Sequence, residues 1–130
     1  MNTKAIVLSF LLFSTEYALS APEIVVNLAK QSYTVIDNNK LIKTGKVSTG
    51  KSGHRTPSGH FTIHTKYANV MSKKYKAPMN YAMFFIGSLY AIHQGVVPGY
   101  PASHGCIRVP AKDASYLFGV LPIGTHLTIK

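Results

Sequence analysis

Apolar and polar positions change rhythm several times along the chain, and each change marks an element. Glu23 to Leu28 and Tyr33 to Ile36 are short runs rich in β-branched and aromatic residues, separated by the polar Lys30-Gln31-Ser32. Asp37-Asn38-Asn39 follows as a strong turn signal, and Leu41 to Thr49 alternates well enough to add a third strand, so an antiparallel meander is predicted. Gly50 to Gly59 is loop by its Gly, Pro and Ser content. His60 to Thr65 then alternates with period two, which would send Phe61 and Ile63 into a core. No clean period runs through Lys66 to Asn80, an irregular and mobile excursion of the kind that carries binding surfaces. Ser88 to His93 returns to a β-like run. Ala111 to Val120, opened by Pro110, is the one convincing helix: Asp113 suits the positive end of its dipole, and Ala114, Leu117 and Phe118 share a face. Gly124 to Lys130 reads as a last strand. Without internal repeats, the pattern predicts a mainly β fold with one short packed helix near the C-terminus.

The first twenty residues follow another logic. Lys4 gives a positive start, Ala5 to Phe13 is a mostly apolar run, and Ala18 with Ser20 are small residues spaced like a cleavage site before Ala21. Residues 1–20 are therefore expected to be a secretory signal, the apolar run falling well short of the roughly 20 residues that span a bilayer. Residues 21–130 are expected to form a single domain, since 130 residues leave no room for a second. Hydrophobic residues make up 46% of the chain, enough for a core, and 14% charged argues against a disordered tail.

Charge narrows the chemistry. The formal net charge is +10, and beyond residue 20 the only acids are Glu23, Asp37 and Asp113. A mechanism that needs paired carboxylates or a carboxylate-bridged metal pair lacks raw material. Basic residues are scattered, with only Lys73, Lys74 and Lys76 clustered, and the interleaving with stacking aromatics that marks a nucleic-acid groove is weak. No nucleic acid is expected as a partner; an anionic cell envelope fits better.

The informative segment runs from Ala91 to Pro110. Cys106, the one cysteine, excludes an internal disulfide and follows two nearby histidines, His93 and His104. A thiol attacks as thiolate, so a neighbouring imidazole that takes its proton makes it a nucleophile. Gly and Pro between His93 and Ser103 describe a loop able to fold His93 over Cys106, and the turn Ser103-His104-Gly105-Cys106 offers successive N–H groups that converge on one point, as an oxyanion requires. The plain alternative is a buried, inert Cys106 with a core His104. His93, His104 and Cys106 are also zinc-ligand types, but no carboxylate stands near them as base. His60 and His64, on a predicted strand, would lie about 13 Å apart. No metal and no cofactor is expected. Met79 and Tyr81, at the end of the excursion, are candidates to line a substrate groove, although such residues more often belong to a core.

The stretch Ile92-His93 through Pro98-Gly99-Tyr100-Pro101-Ala102-Ser103-His104-Gly105-Cys106-Ile107-Arg108 resembles the active-site signature of the L,D-transpeptidase catalytic domain family, enzymes of bacterial peptidoglycan cross-linking. Ser48-Thr49-Gly50-Lys51 and Thr56-Pro57-Ser58-Gly59-His60-Phe61 resemble that family's other recurring segment. The resemblance implies a β-sandwich-like fold with a short helix, and assigns roles. Cys106 would attack the carbonyl between an L-centre, usually diaminopimelate, and the terminal D-Ala of a tetrapeptide stem. His93 would be its base, oriented by a backbone carbonyl just after it, here that of Gln94. His104, Gly105 and Cys106 would give oxyanion N–H groups, Ser103 would order the loop, and Arg108 would pair with a substrate carboxylate. Two other readings stay open: an L,D-carboxypeptidase with water as acceptor, and a cationic wall-binding module whose thiol is inert.

Overall fold

Alternation becomes geometry in the first third of the chain, within residues 21–130 that the computed structural model describes. The expected signal, residues 1–20, lies outside the described residues. β1 (Glu23–Asn27), β2 (Ser32–Asp37) and β3 (Lys40–Lys46) form the antiparallel meander, and every second residue of β1 and β2 (Ile24, Val26, Tyr33, Val35) is buried. Asn38 and Asn39 take left-handed φ of 54° and 61°, which their short polar side chains tolerate, and so close the β2–β3 turn. β3 ends at Lys46, three residues earlier than its alternation predicts, because the chain leaves the sheet there: Ser48 and Gly50 instead make isolated bridges to Arg108 and Ser103.

The single strand expected over His60 to Thr65 is two. β4 (Gly59–Thr62) belongs to the first sheet and β5 (Thr65–Tyr67) to the second, with Ile63 fully buried at the crossing and Phe61 only partly buried against the core. β6 (Ala82–Ile86) carries no alternation, because both of its faces are covered: Met83 and Phe85 enter the main core, Ala82 and Phe84 a second, smaller cluster. Residues 87–89 form a turn, and only then does β7 (Tyr90–Gln94) begin, so the β-like run at Ser88 to His93 is shifted. β8 (Ile107–Val109) pairs parallel with β7, α1 spans Ala111–Val120 as predicted, and β9 (His126–Ile129) pairs parallel with β1 and antiparallel with β4.

Two sheets result, one of five strands in the order β3-β2-β1-β9-β4 and one of four in the order β5-β6-β7-β8. Residues of both sheets share one core, which includes Ile24, Val35, Met83, Ile92, Ile107 and Leu127, and α1 adds Ala114 and Leu117. Burying each of the Val, Ile, Leu and Met side chains among these stabilises the fold by roughly 1.5–3 kcal/mol. Two polar links hold α1. At its start, the Tyr33 hydroxyl donates to Asp113 at 2.7 Å. At its end, Lys66 of β5 donates to the carbonyls of Phe118 at 2.6 Å and Leu121 at 2.8 Å, satisfying acceptors that a helix terminus leaves free and placing a cation at the negative end of its dipole.

Lys66→Met keeps the apolar stem and removes those donors. It should cost about 1–3 kcal/mol, seen as a lower urea midpoint with unchanged slope; an unchanged midpoint would show that water caps the helix equally well.

Candidate active site

Register decides which way the chemistry-bearing residues point. In the parallel β7–β8 pair Ile92 lies opposite Ile107 and His93 opposite Arg108. Paired residues share a face, and both isoleucines are fully buried in the main core, so His93 and Arg108 project from the other face. Cys106, two residues before Arg108, falls on that same face and packs against the small cluster of Met79, Ala82, Phe84 and Ala91. Above it opens a cavity of about 360 Å³ lined by Cys106, His93, Ser103, His104, Arg108 and Met79. Six of the expected site residues are thus brought together. Gly105, next to them, is buried in the backbone turn beneath. Tyr81 is not among the lining residues: it packs on the main core with its ring edge-on to Phe118, centroids 5.5 Å apart.

The turn carrying Cys106 is fixed from below. Ser103 is buried, and its hydroxyl donates to the Cys106 carbonyl at 2.5 Å while accepting from the Gly105 N–H at 3.1 Å. The buried Thr56 hydroxyl donates to the Gly105 carbonyl at 2.7 Å and accepts from the Gly50 N–H at 2.9 Å. Gly105 has φ of 128°, and a Cβ there would collide with the Tyr90 ring, so only glycine fits. The Ser48 and Arg108 backbones exchange bonds of 3.0 and 2.9 Å, and the Ser48 hydroxyl donates to the Tyr100 carbonyl at 2.7 Å. The second family-like segment therefore serves as the clamp of the first. Because Gly105 spends its N–H on Ser103, it is not free to face an oxyanion as expected; the N–H groups of His104 and Cys106 have no protein acceptor among the described residues.

His93 is oriented by backbone. Its Nδ1 lies 2.7 Å from the Gln94 carbonyl, which only accepts, so Nδ1 carries the proton and Nε2 keeps its lone pair. Burial holds the His93 pKa below the usual imidazole range, with Arg108 pushing the same way and the Gln94 bond opposing. Burial likewise raises the Cys106 pKa, against the Ala91 backbone and Arg108, and the thiol donates to the Leu89 carbonyl at 3.7 Å. Both directions favour an uncharged thiol and an uncharged imidazole in the same cavity, an arrangement suited to general-base transfer rather than to a preformed ion pair.

His104 is exposed and stacks flat on Tyr75 at 4.0 Å, with His54 edge-on at 5.2 Å. Its pKa is lowered by desolvation, then by Lys51, His54, Arg108 and Lys74. The turn at residues 73–76 thus roofs the cavity. Sequence reasoning left His54 and Arg55 without a role, and only their position between two resembling segments offered a signal, whereas Tyr75 fell in the excursion read as a binding surface.

A two-sheet β fold with a cysteine and a backbone-oriented histidine above one sheet defines the class. The chain belongs to the L,D-transpeptidase catalytic domain family, whose model matches residues 21–129. Among curated relatives named for that activity, YqjB of Bacillus subtilis is 30% identical over 124 residues, covering 83% of this chain and 70% of that protein. YkuD of the same species is 32% identical over 110 residues, covering 82% and 64%. The crystal structure of an L,D-transpeptidase from Stackebrandtia nassauensis superposes with a TM-score of 0.80 at 26% identity, covering 87% of this chain and 57% of that one. The chain therefore spans less than two thirds of the length of two of these three relatives.

A thiol whose pKa is raised resists alkylation until higher pH. The rate of Cys106 reaction with iodoacetamide should still be climbing above pH 9, where an ordinary thiol of pKa about 8.5 levels off. A plateau near pH 7 would mean a preformed thiolate and refute the neutral pair.

Proposed function

We propose that this is an exported cysteine L,D-transpeptidase acting on tetrapeptide stems of peptidoglycan. The observation that carries the reading is the convergence, in one cavity, of the Cys106 thiol and a His93 ring whose Nδ1 is pinned by the Gln94 carbonyl. His93 Nε2 takes the thiol proton as Sγ bonds to the carbonyl carbon between the L-centre and D-Ala. The oxyanion then faces the N–H groups of His104 and Cys106, which in a dry site contribute about 3 kcal/mol each. Collapse breaks the C–N bond, the imidazolium returns its proton to the leaving D-Ala amine, and a thioester remains. An acceptor amine attacks that thioester, and Cys106 leaves as thiol. Export with cleavage before Ala21 is part of the proposal, and sequencing the N-terminus of the extracytoplasmic protein checks it.

With purified tetrapeptide stems, Cys106→Ala should abolish both acyl-enzyme and D-Ala release, and His93→Ala should lower turnover about 10²- to 10⁴-fold. If His104→Ala is the more damaging of the two histidine changes in a folded protein, the base is misassigned. A carbapenem should add its mass to the native protein and not to Cys106→Ala.

Supplying a D-amino acid as acceptor separates transfer from hydrolysis. Exchanged tetrapeptide is the expected product. Tripeptide alone at every acceptor concentration would establish the carboxypeptidase instead.

A further inference from the structure

The charge of the cavity is one-sided. Arg55, Lys73, Lys74 and Arg108 line it together with three histidines, and no Asp or Glu does. The acids of the described residues are elsewhere: Glu23 and Asp37 lie in the five-stranded sheet, and Asp113 accepts from Tyr33. Like charges on a concave wall, with no carboxylate among them, build a positive potential that an anionic ligand relieves.

The cations also come from two sides. Arg55 precedes Thr56, whose hydroxyl is fixed between Gly50 and Gly105, so its backbone is anchored on the same wall as Cys106. The stem of Arg108 runs over Gly95, where a Cβ would meet its Cγ at 2.8 Å. Lys73 and Lys74 stand on the facing turn, closed by Ser72 N–H to the Ala77 carbonyl and Lys76 N–H to the Ser72 carbonyl, both 2.8 Å, and tied across the cavity by Tyr75 on His104. A peptide seated between these walls meets cations on both flanks.

We propose that Arg55, Lys73 and Lys74 form an anion subsite that selects acyl donors by their free carboxylates, so that stems whose side carboxylates are amidated bind poorly. This rests on the transpeptidase reading and deepens it by naming the form of stem. Amidation removes the charge and both carboxylate acceptors that a guanidinium fork engages.

Binding to the Cys106→Ala protein, which cannot turn the ligand over, tests the idea by calorimetry. The probes are a free-carboxylate tetrapeptide stem and the same peptide amidated at its D-Glu and diaminopimelate carboxylates. The amidated peptide should bind about 10-fold more weakly at roughly 0.05 M salt, with the gap narrowing at roughly 0.5 M. Adding Lys73→Gln and Lys74→Gln, with or without Arg55→Gln, should cut the gap to about 3-fold or less, and Lys73→Arg with Lys74→Arg should keep it. These side chains are exposed, and an unchanged urea midpoint verifies the fold. Equal affinity for the two peptides, no binding of either, or an undiminished gap in the glutamine variants overturns the proposal. D-Ala release by the native protein is a separate readout, so failure of the transpeptidase reading is distinguished from failure of the subsite.

Discussion

Two parallel strands cannot be joined by a tight turn, and the site depends on that constraint. β7 runs into the cavity with His93, and β8 must start again at the same end, so residues 95–106 travel back outside the sheet before Ile107 pairs with Ile92. Pro98, Gly99, Pro101 and Gly105 shape that return, and it delivers Cys106 beside Ala91, one step from the histidine. A slip of one residue would turn Cys106 and Arg108 into the core and Ile107 out to solvent. The burial of Ile92 and Ile107 therefore sets the register on which the chemistry relies. Ser48 and Gly50, bridging to Arg108 and Ser103 on the far side of β8, hold it from the other edge.

Scarcity of acids shapes the electrostatics in the same way. An imidazole base needs one nitrogen's proton fixed, and a carboxylate is a common partner for that. Here the Gln94 carbonyl does it for His93, the proposed base, and adds no negative charge beside the thiol. Burial favours the uncharged form of both side chains, so in the proposed reaction the positive field of Arg108 acts on the thiolate as it forms rather than on a standing ion pair.

The meander and the helix were legible because each has one buried face and one wet one: Ile24, Val26, Tyr33 and Val35 alternate, and Ala114 with Leu117 follow the helical period. β6 was not, since Ala82 to Phe85 are all buried and a strand covered on both faces loses its alternation. β8, at three residues, is too short to show a period. The site was legible as a motif, with Cys106, His93, Ser103, His104 and Arg108 meeting in one cavity, because a cysteine that follows histidines in a Gly- and Pro-rich loop carries its chemistry locally. What the motif could not show was the use of each polar atom. The Gly105 N–H goes to Ser103 because that hydroxyl must satisfy two backbone groups of a buried turn, and Tyr81, at φ of 56°, turns its ring to Phe118 instead of the groove.

The two walls of the cavity differ in how they are held, and the difference separates two tasks. The wall with Cys106 and His93 is set by β7, β8 and the buried hydroxyls of Thr56, Ser103 and Ser48, each engaged with backbone. Positioning for acyl transfer tolerates errors of only a fraction of an ångström, which such a scaffold supplies. The facing wall is an excursion closed by turn bonds and the Met71–Pro78 bridge, anchored at its end by buried Met79 and by the Gln94 N–H on the Asn80 carbonyl, and touching the first wall at its tip through Tyr75 on His104, with Lys73 and Lys74 exposed. Charges on such a loop steer and sort ligands at long range without needing fixed geometry. The residues proposed for reaction chemistry thus sit where sheet packing fixes atoms, and those proposed to discriminate among stems sit on an excursion outside the register that places the thiol.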